Sequence, residues 1–355
     1  MTNLLFAAIA GIVVSLLATP WAVRAFRRWG WGQLIREEGP KAHYEKRGTP
    51  TMGGLVIMLG AVGGYFLGHV GTEGLSPFSD SGLLAIATIV ALGCLGFIDD
   101  FIKIRKSRSL GLQKRAKFLG QLVIGLVFAF VAIEHVGIGT DISFFRSTIL
   151  ALGVGFYIWV FLMIAASSNG VNLTDGLDGL AVGSAVQVLA AFVVIGFWEF
   201  RHPVFYDLQA TGTDPFDLAI VAAALVGSCV GFLWWNTAPA KIFMGDTGSL
   251  MLGGAMAVLA ILLETQLLLI LLGGLYVVET LSVILQVASY KLTGKRILLM
   301  APVHHHFELA GWPEFTVIVR FWVLSGLSVA FGLGLFYADF LYKGFRLPRS
   351  PAVAC

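Results

Sequence analysis

The sequence predicts an all-α, polytopic integral membrane protein, and three observations carry that expectation. Mean hydropathy is +0.84 and hydrophobic residues make up 57% of the chain. Only 13% of residues are charged, about half the roughly 25% of soluble domains. The apolar residues gather into runs near 20 residues, the length that crosses a bilayer as a helix. This composition excludes a soluble globular enzyme, and it excludes disorder, which requires low hydrophobicity.

Ten spans are read within one transmembrane domain, 1–355: 3–23, 52–70, 82–98, 118–136, 147–166, 179–198, 217–235, 249–263, 266–290 and 318–341. The first is a retained helix and not a signal peptide, because Arg24, Arg27 and Arg28 follow the apolar run instead of preceding it. Gly60, Gly64 and Gly68 give the second a small-residue face suited to close helix packing. The third ends on Asp99 and Asp100, and the sixth begins at the last two residues of SSNGVNLTDGLDGL. The seventh opens as an ordinary helix start, with Asp214 as N-cap, Pro215 at the first helical position and Asp217 in the first turn. Trp234 and Trp235 read as interfacial anchors at its end. Only the corner Glu264–Gln266 separates the eighth from the ninth, so nine spans is the alternative count. Cys94 and Cys229 lie in apolar runs and read as packing residues; with Cys355 they show neither CxxC nor zinc spacing.

Basic residues set the orientation. Arg24, Arg27, Arg28, Arg36, Lys41, Lys46 and Arg47 follow the first span, and Lys103 through Lys117 follow the third. With Lys241, Lys291, Lys295, Arg296 and Arg320, one face carries 19 of the 24 Lys and Arg residues. The positive-inside rule makes that face cytoplasmic and, with ten spans, puts both termini on the periplasmic side. The basic tail (Lys343, Arg346, Arg349) pulls the other way, but several loops outweigh one short tail.

Asp99, Asp100, Asp175, Asp178 and Asp246 all fall at the cytoplasmic ends of spans. Acids beside a membrane core usually face a cavity, a metal or a partner, so five on one side point to one site. In GFIDDFIKIRK the adjacent Asp99 and Asp100 repel unless a cation or a transferable proton sits with them. A solvated helix end with Lys103 as an i,i+3 partner is the plainer reading. In SSNGVNLTDGLDGL, Asn169, Asn172, Asp175 and Asp178 recur every third residue, and Gly170, Gly176 and Gly179 favour a turn within the stretch. A cap on the sixth span by Thr174 or Asp175 would need one such residue, not four. In NTAPAKIFMGDTGSL, Asp246 lies among glycines before a helix, where anions bind readily, and Lys241 is a nearby phosphate partner; Thr247 or Ser249 as a simple N-cap is the alternative. In APVHHHFELAG, His304, His305 and His306 lack the i,i+4 spacing of a zinc helix and suit phosphate binding or charge stabilisation. Clustered carboxylates without thiols favour a hard cation such as Mg²⁺. Acids, lysines, amides and histidines without a nucleophilic Ser or Cys motif fit phosphoryl transfer, and at a membrane surface the natural acceptor is a lipid.

Together with KRGTPTMGG at 46–54, these motifs resemble the phospho-N-acetylmuramoyl-pentapeptide transferase (MraY) family of the polyprenyl-phosphate N-acetylhexosamine-1-phosphate transferase superfamily. GTPTMGG, DD, NxxNxTDGLDGL, GDTGSL and PVHHHFE occur in one order over nearly the whole chain. The resemblance implies a Mg²⁺-dependent enzyme of the bacterial cytoplasmic (inner) membrane. It would transfer phospho-N-acetylmuramoyl-pentapeptide from UDP-MurNAc-pentapeptide to undecaprenyl phosphate, releasing UMP and forming lipid I. It implies no nucleic-acid partner and is compatible with a homodimer. By motif, Asp246 would be the metal ligand, with Asp99 or Asp100 beside it. Asp99 and Asp100 would act on the lipid phosphate, with His304 and His305 also counted as catalytic. Asn169, Asn172, Asp175 and Asp178 would line the nucleotide side, with Lys103 and Phe243 near the uracil. Lys46, Thr51, Lys117, Lys241, Gln286 and His306 would complete the pocket. Either a deprotonated lipid phosphate attacks the β-phosphate directly, with Asp99 and Asp100 sharing a proton as base, or an Asp attacks first to form a covalent phospho-sugar enzyme. Direct attack is preferred. The rivals are a sister enzyme transferring N-acetylglucosamine-1-phosphate and, from another class, a transporter. No repeat of the acidic motifs between the two halves supports a transporter.

Overall fold

The structure, a computed structural model, describes residues 1–32, 48–71, 74–106, 111–146, 148–206, 208 and 212–346. Twelve helices account for most of them: α1 Thr2–Trp29, α2 Gly54–Gly68, α3 Asp80–Arg105, α4 Lys114–Val131, α5 Phe156–Thr174, α6 Leu180–Arg201, α7 Pro215–Asn236, α8 Gly245–Leu262, α9 Leu268–Leu272, α10 Gly274–Thr293, α11 Val303–Leu309 and α12 Glu314–Arg346. Among the described residues there are also two small antiparallel hairpins: β1 Val70–Gly71 with β2 Gly74–Leu75, and β3 Asp141–Ser143 with β4 Thr148–Ala151.

Among the described residues nine helices are long and apolar enough to cross a membrane, so the chain is a multi-pass membrane protein. The exception among the ten expected spans is α2. Its 15 residues reach about 22 Å, short of a hydrocarbon core near 30 Å. Its glycine face works as expected: Gly60 abuts Ser15 and Ser228, Gly64 abuts Ala7 and Ala224, and Gly68 abuts Ala7 and Ile220. The non-helical stretch before it holds Thr51 and Met52 buried, and irregular backbone is tolerated at such depth only inside protein.

The fifth span departs most from the expected 147–166. Thr148–Ala151 pairs as a strand with Asp141–Ser143, and the helix starts only at Phe156. The apolar run continued through both, which masked the change. At its far end α5 runs on through Asn169, Gly170 and Asn172 to Thr174, so the turn occupies only the end of the motif. Neither Thr174 nor Asp175 caps α6. Thr174 bonds back to the Gly170 carbonyl, Asp175 ends α5, and Gly179, at φ +79, is the N-cap. The ninth span is broken, with α9 and α10 meeting at Gly273. Cys229 is buried as expected, but Cys94 lies exposed on the surface of α3.

α8 is the central helix, with every residue from Thr247 to Leu262 buried. Small residues let its neighbours approach. A side chain at Gly253 would strike Ser167 and Ser168 of α5, and one at Gly254 would strike Leu92 of α3.

The helix ends form two polar layers. At the end opposite the acidic motifs, Arg146 at φ +54 and Glu264 at φ +52 are both in the left-handed region. Arg146 donates its backbone N–H to the Glu264 carbonyl at 3.0 Å. Its guanidinium reaches Glu199 at 3.0 Å and Glu264 at 3.2 Å, so one ion-pair cluster ties the β3–β4 hairpin to α6 and to the α8–α9 corner. Asp214 caps α7 as expected, accepting from Phe216 and Asp217 N–H. Asp217 is more than a first-turn acid. It is buried and accepts from the Ser79 hydroxyl at 2.6 Å, the Ser79 N–H at 2.8 Å and the Tyr65 hydroxyl at 3.1 Å, with His69 Nε2 at 3.1 Å. Asp217→Ala would strand these groups, and breaking a buried charge network costs about 3–5 kcal/mol. Asp214→Ala removes one exposed cap, worth about 1 kcal/mol. Unfolding midpoints in detergent should therefore fall much further for Asp217→Ala; equal shifts would contradict the keystone role.

Candidate active site

The site is built where the acidic-motif ends of α3, α4, α5 and α8 meet. Gly96 of α3 lies directly against the backbone of Asp246 and Thr247, and a side chain there would strike the Asp246 carbonyl oxygen. That contact carries Asp99 and Asp100, one turn further along α3, to the first turn of α8. Gly245, at φ +73, starts α8; a Cβ on it would collide with Asp100 Oδ2. The result is a three-carboxylate cluster: one oxygen each from Asp99, Asp100 and Asp246 lies within 4.8 Å of the others.

Two lysines sit among these acids. Lys103 Nζ lies 2.6 Å from Asp99 Oδ2, 3.2 Å from Asp100 Oδ1 and 3.1 Å from Asp246 Oδ2. Lys117, from the first turn of α4, lies 2.6 Å from the same Asp246 oxygen. The three acids are held differently. Asp100 Oδ2 accepts from both the backbone N–H (2.9 Å) and the hydroxyl (2.8 Å) of Thr247, bracing the start of α8. Asp246 Oδ1 accepts from Asn172 Nδ2 at 2.7 Å, and Asn172 also donates to Ser249 at 2.8 Å. Asp99 Oδ1 accepts from Leu112 N–H at 2.8 Å. Its Oδ2 is buried against the Lys103 ammonium. Thr247 and Ser249, which sequence reading offered as caps, therefore brace the acids; Met244 is the N-cap of α8.

The donor set is all oxygen, which suits a hard divalent cation. Three carboxylates against two ammoniums leave a net negative charge for such an ion to offset.

Asp175 sits in the turn after α5. Burial raises its pKa to about 8, helped by repulsion from Asp246, Asp100 and Asp178 and opposed by the Gly245 N–H. The folded state thus holds this proton more tightly than the unfolded chain, whose value is about 3.9. This contribution to stability is full below pH 4 and is lost as pH rises to about 8. Asp175→Asn, a permanently neutral mimic, should unfold near the wild-type temperature at about pH 4 and increasingly above it as pH rises to about 8, both in chelator. Parallel curves across that range would contradict the assignment.

The GTPTMGG segment packs on the α8 start. Phe243 N–H donates to Pro50 O at 2.8 Å, Gly53 N–H to Phe243 O at 2.8 Å and Gly54 N–H to Met244 O at 2.9 Å. Buried Thr51 lies beside Gly245. Asp178 is buried, and its Oδ2 accepts from Ala240 N–H at 2.9 Å. Lys46 lies outside the described residues.

Other expected members stand elsewhere or are committed to the protein. Asn169 is exposed and bonds to Ala165 of its own helix. Lys241 is exposed over the Trp235 ring, 4.9 Å from its centroid, and pairs with no carboxylate among the described residues. Trp235 itself is partly buried and bonds to Leu16 O, leaving Trp234 as the exposed one of the pair. Lys103, expected beside Phe243 at a uracil, has its ammonium among the acids. The Gln286 amide spans Ile297 and Leu298 backbone groups, bracing the loop that precedes the histidines. His304 is fully buried. His305 Nδ1 lies 2.6 Å from Glu308, and His306 Nδ1 accepts from Leu299 N–H at 3.1 Å.

An apolar groove of about 320 Å³ runs between α5, α8, α9 and α10, lined by Trp159, Met163, Met256, Tyr276, Val277 and Leu281 among others. Gly170 and Val171, immediately before Asn172, line it too.

The model of glycosyl transferase family 4 matches residues 83–264, which span the DD, NxxNxTDGLDGL and GDTGSL motifs. Signature 1 of the phospho-N-acetylmuramoyl-pentapeptide-transferases matches residues 46–58. A phospho-N-acetylmuramoyl-pentapeptide-transferase of Frankia alni is 56% identical, covering 97% of this chain and 99% of the relative. Those of Saccharopolyspora erythraea (52% identical, 96% of this chain, 98% of the relative) and Streptomyces coelicolor (50%, 95% and 98%) are similar along their whole length.

Proposed function

We infer the function from one premise: the chain belongs to the phospho-N-acetylmuramoyl-pentapeptide transferase family, within glycosyl transferase family 4. We propose that it transfers phospho-N-acetylmuramoyl-pentapeptide from UDP-MurNAc-pentapeptide to undecaprenyl phosphate in the bacterial inner membrane, with the acidic end of the bundle facing the cytoplasm. The observation that carries this reading is the Asp99–Asp100–Asp246 cluster threaded by Lys103 and Lys117 at one end of a membrane bundle.

In this reading the groove between α5 and α10 takes the polyprenyl chain, because an apolar trough saves the chain from water. The lipid phosphate then meets the acids where the groove reaches Gly170 and Val171. A phosphate oxygen of the acceptor attacks the β-phosphorus of the UDP-sugar. The bond from that phosphorus to the bridging oxygen breaks, UMP leaves, and a pyrophosphate joins lipid and sugar. Asp99 takes the acceptor's proton, since its Oδ2 rests on the mobile Lys103 ammonium and not on a fixed backbone donor. Lys103 and Lys117 hold phosphate oxygens and balance charge as it moves toward the leaving group. Asp100 and Asn172 keep the α8 start and Asp246 in place. Asp246, with Asp99 or Asp100, would hold Mg²⁺, which would supply positive charge to offset that of the phosphates during transfer. Asp175 and Asp178 line the nucleotide side.

The test is UMP release by detergent-solubilised protein given UDP-MurNAc-pentapeptide and undecaprenyl phosphate, with Mg²⁺ or with EDTA. UMP should appear only when both substrates and Mg²⁺ are present. Release from UDP-N-acetylglucosamine instead would assign the sister activity. No release, with lipid movement across vesicles, would make the protein a transporter.

A further inference from the structure

Glu279 is a buried acid in an apolar spanning helix that the mechanism above does not use. It sits on α10 with no exposed surface. Carboxylates at such depth are costly and persist only where something answers them. Among the described residues its side chain meets one polar partner, His304 Nδ1, 3.1 Å from Oε2. His304 is equally buried. Neither ring nitrogen makes a hydrogen bond among the described residues: Nδ1 faces the carboxylate at ion-pair distance, and Nε2 lies against Gly176, where a Cβ would strike it before any other atom. The ring is thus pinned between a carboxylate on one side and the 175–179 turn on the other.

That turn carries Asp175 and Asp178. Its other attachments include Asp178 Oδ2 to Ala240 N–H at 2.9 Å, Asp178 N–H to Glu314 Oε1 at 3.3 Å and Asp175 to Gly245 N–H. On the α10–α11 side the turn meets His304 at Gly176, and Leu177 shares an apolar cluster with Leu275, Val303 and Phe307.

We propose that Glu279 is a positioning residue: by fixing the His304 ring against Gly176 it sets where the Asp175–Asp178 turn stands on the nucleotide side of the site. This rests on the transferase reading. It makes His304 a support for the site, because a ring with no exposed surface does not touch substrate. The motif thereby divides into buried His304 and the partly exposed His305 and His306.

The experiment compares full-length wild type, Glu279→Leu, Glu279→Gln and His304→Asn in detergent. Leucine keeps the volume but offers nothing to the imidazole; glutamine keeps an acceptor oxygen. Asparagine at 304 keeps a donor for Glu279 but leaves the Gly176 face empty. Glu279→Leu and His304→Asn should raise KM for UDP-MurNAc-pentapeptide by about tenfold or more. KM for undecaprenyl phosphate should stay within about twofold, and Glu279→Gln should stay within about threefold of wild type in both. The double variant Glu279→Leu/His304→Asn should be no worse than the stronger single, as expected for groups acting as one unit. Hydrogen exchange at the 175–180 amides gives a readout that does not need turnover. It should speed up in Glu279→Leu and His304→Asn and not in Glu279→Gln. The inference is overturned if both KM values rise together, if Glu279→Gln is as damaged as Glu279→Leu, or if exchange in the turn does not change. Should wild type release no UMP, the transferase reading fails, and the exchange data still decide whether Glu279 holds the turn. Should Glu279→Leu fail to fold, His304→Asn carries the test.

Discussion

Asp246→Asn should reduce UMP release by about a thousandfold or more. Its carboxylate joins both halves of the site: Oδ2 faces Lys103 at 3.1 Å and Lys117 at 2.6 Å, and Oδ1 accepts from Asn172 at 2.7 Å. An amide in its place keeps the shape but loses the charge. It also turns an N–H₂ group toward one of these donors, leaving an ammonium or an amide without an acceptor in a site largely closed to water. In the proposed reading the cation would lose its principal ligand as well. Raising Mg²⁺ should recover little, since the site's charge and not only its metal occupancy has changed. Initial rates of UMP formation over a Mg²⁺ series check this. Activity within tenfold of wild type would remove Asp246 from the metal role.

The second large effect separates two adjacent acids. Asp99→Asn should lower kcat by about 10²–10⁴, the usual range for losing a general base, while leaving KM for the UDP-substrate near the wild-type value. Asp100 differs, because its Oδ2 already accepts two bonds from Thr247. Asp100→Asn should therefore loosen the start of α8 and lower the unfolding temperature as well as activity. The acidic limb of the pH–rate profile should vanish in Asp99→Asn and persist in Asp100→Asn. If Asp99→Asn retained that limb, Asp99 would not be the base. A radiolabelled phospho-sugar trapped on wild-type protein without lipid acceptor would replace direct attack by the two-step route.

Several features were legible because apolar surroundings make polar residues conspicuous. Asp99, Asp100 and Asp246 stood out as acids at the ends of apolar runs, and the structure gathers them within 4.8 Å. Asp214 was readable as a cap because capping is local: residue 214 bonds residues 216 and 217. Other positions had no local signal. Asn169 and Asn172 are three residues apart on one helix, yet only Asn172 reaches Asp246. Three residues rotate a helix by about 300°, and which of two such neighbours faces the site depends on the helix across from it. Lys241 shared a motif with Asp246 but lies over Trp235, because a long cationic side chain at a surface takes the nearest aromatic face. Glu279 did leave a sign, a lone acid in an apolar span, but its partner His304 is 25 positions away.

By itself the sequence determined that this is a helical membrane protein, where its spans lie to within a few residues for most of them, and which acidic motifs stand at the ends of its apolar runs. Those are consequences of transfer free energy: apolar runs must leave water, and charges left beside them need a purpose. Only the tertiary structure decided that α2 falls short of a full span, that residues 148–151 form a strand, and which members of each motif meet. These outcomes depend on contacts between residues far apart in the chain. Gly96 against Asp246 and Gly176 against His304 set them, and a glycine in a sequence does not say what will press against it.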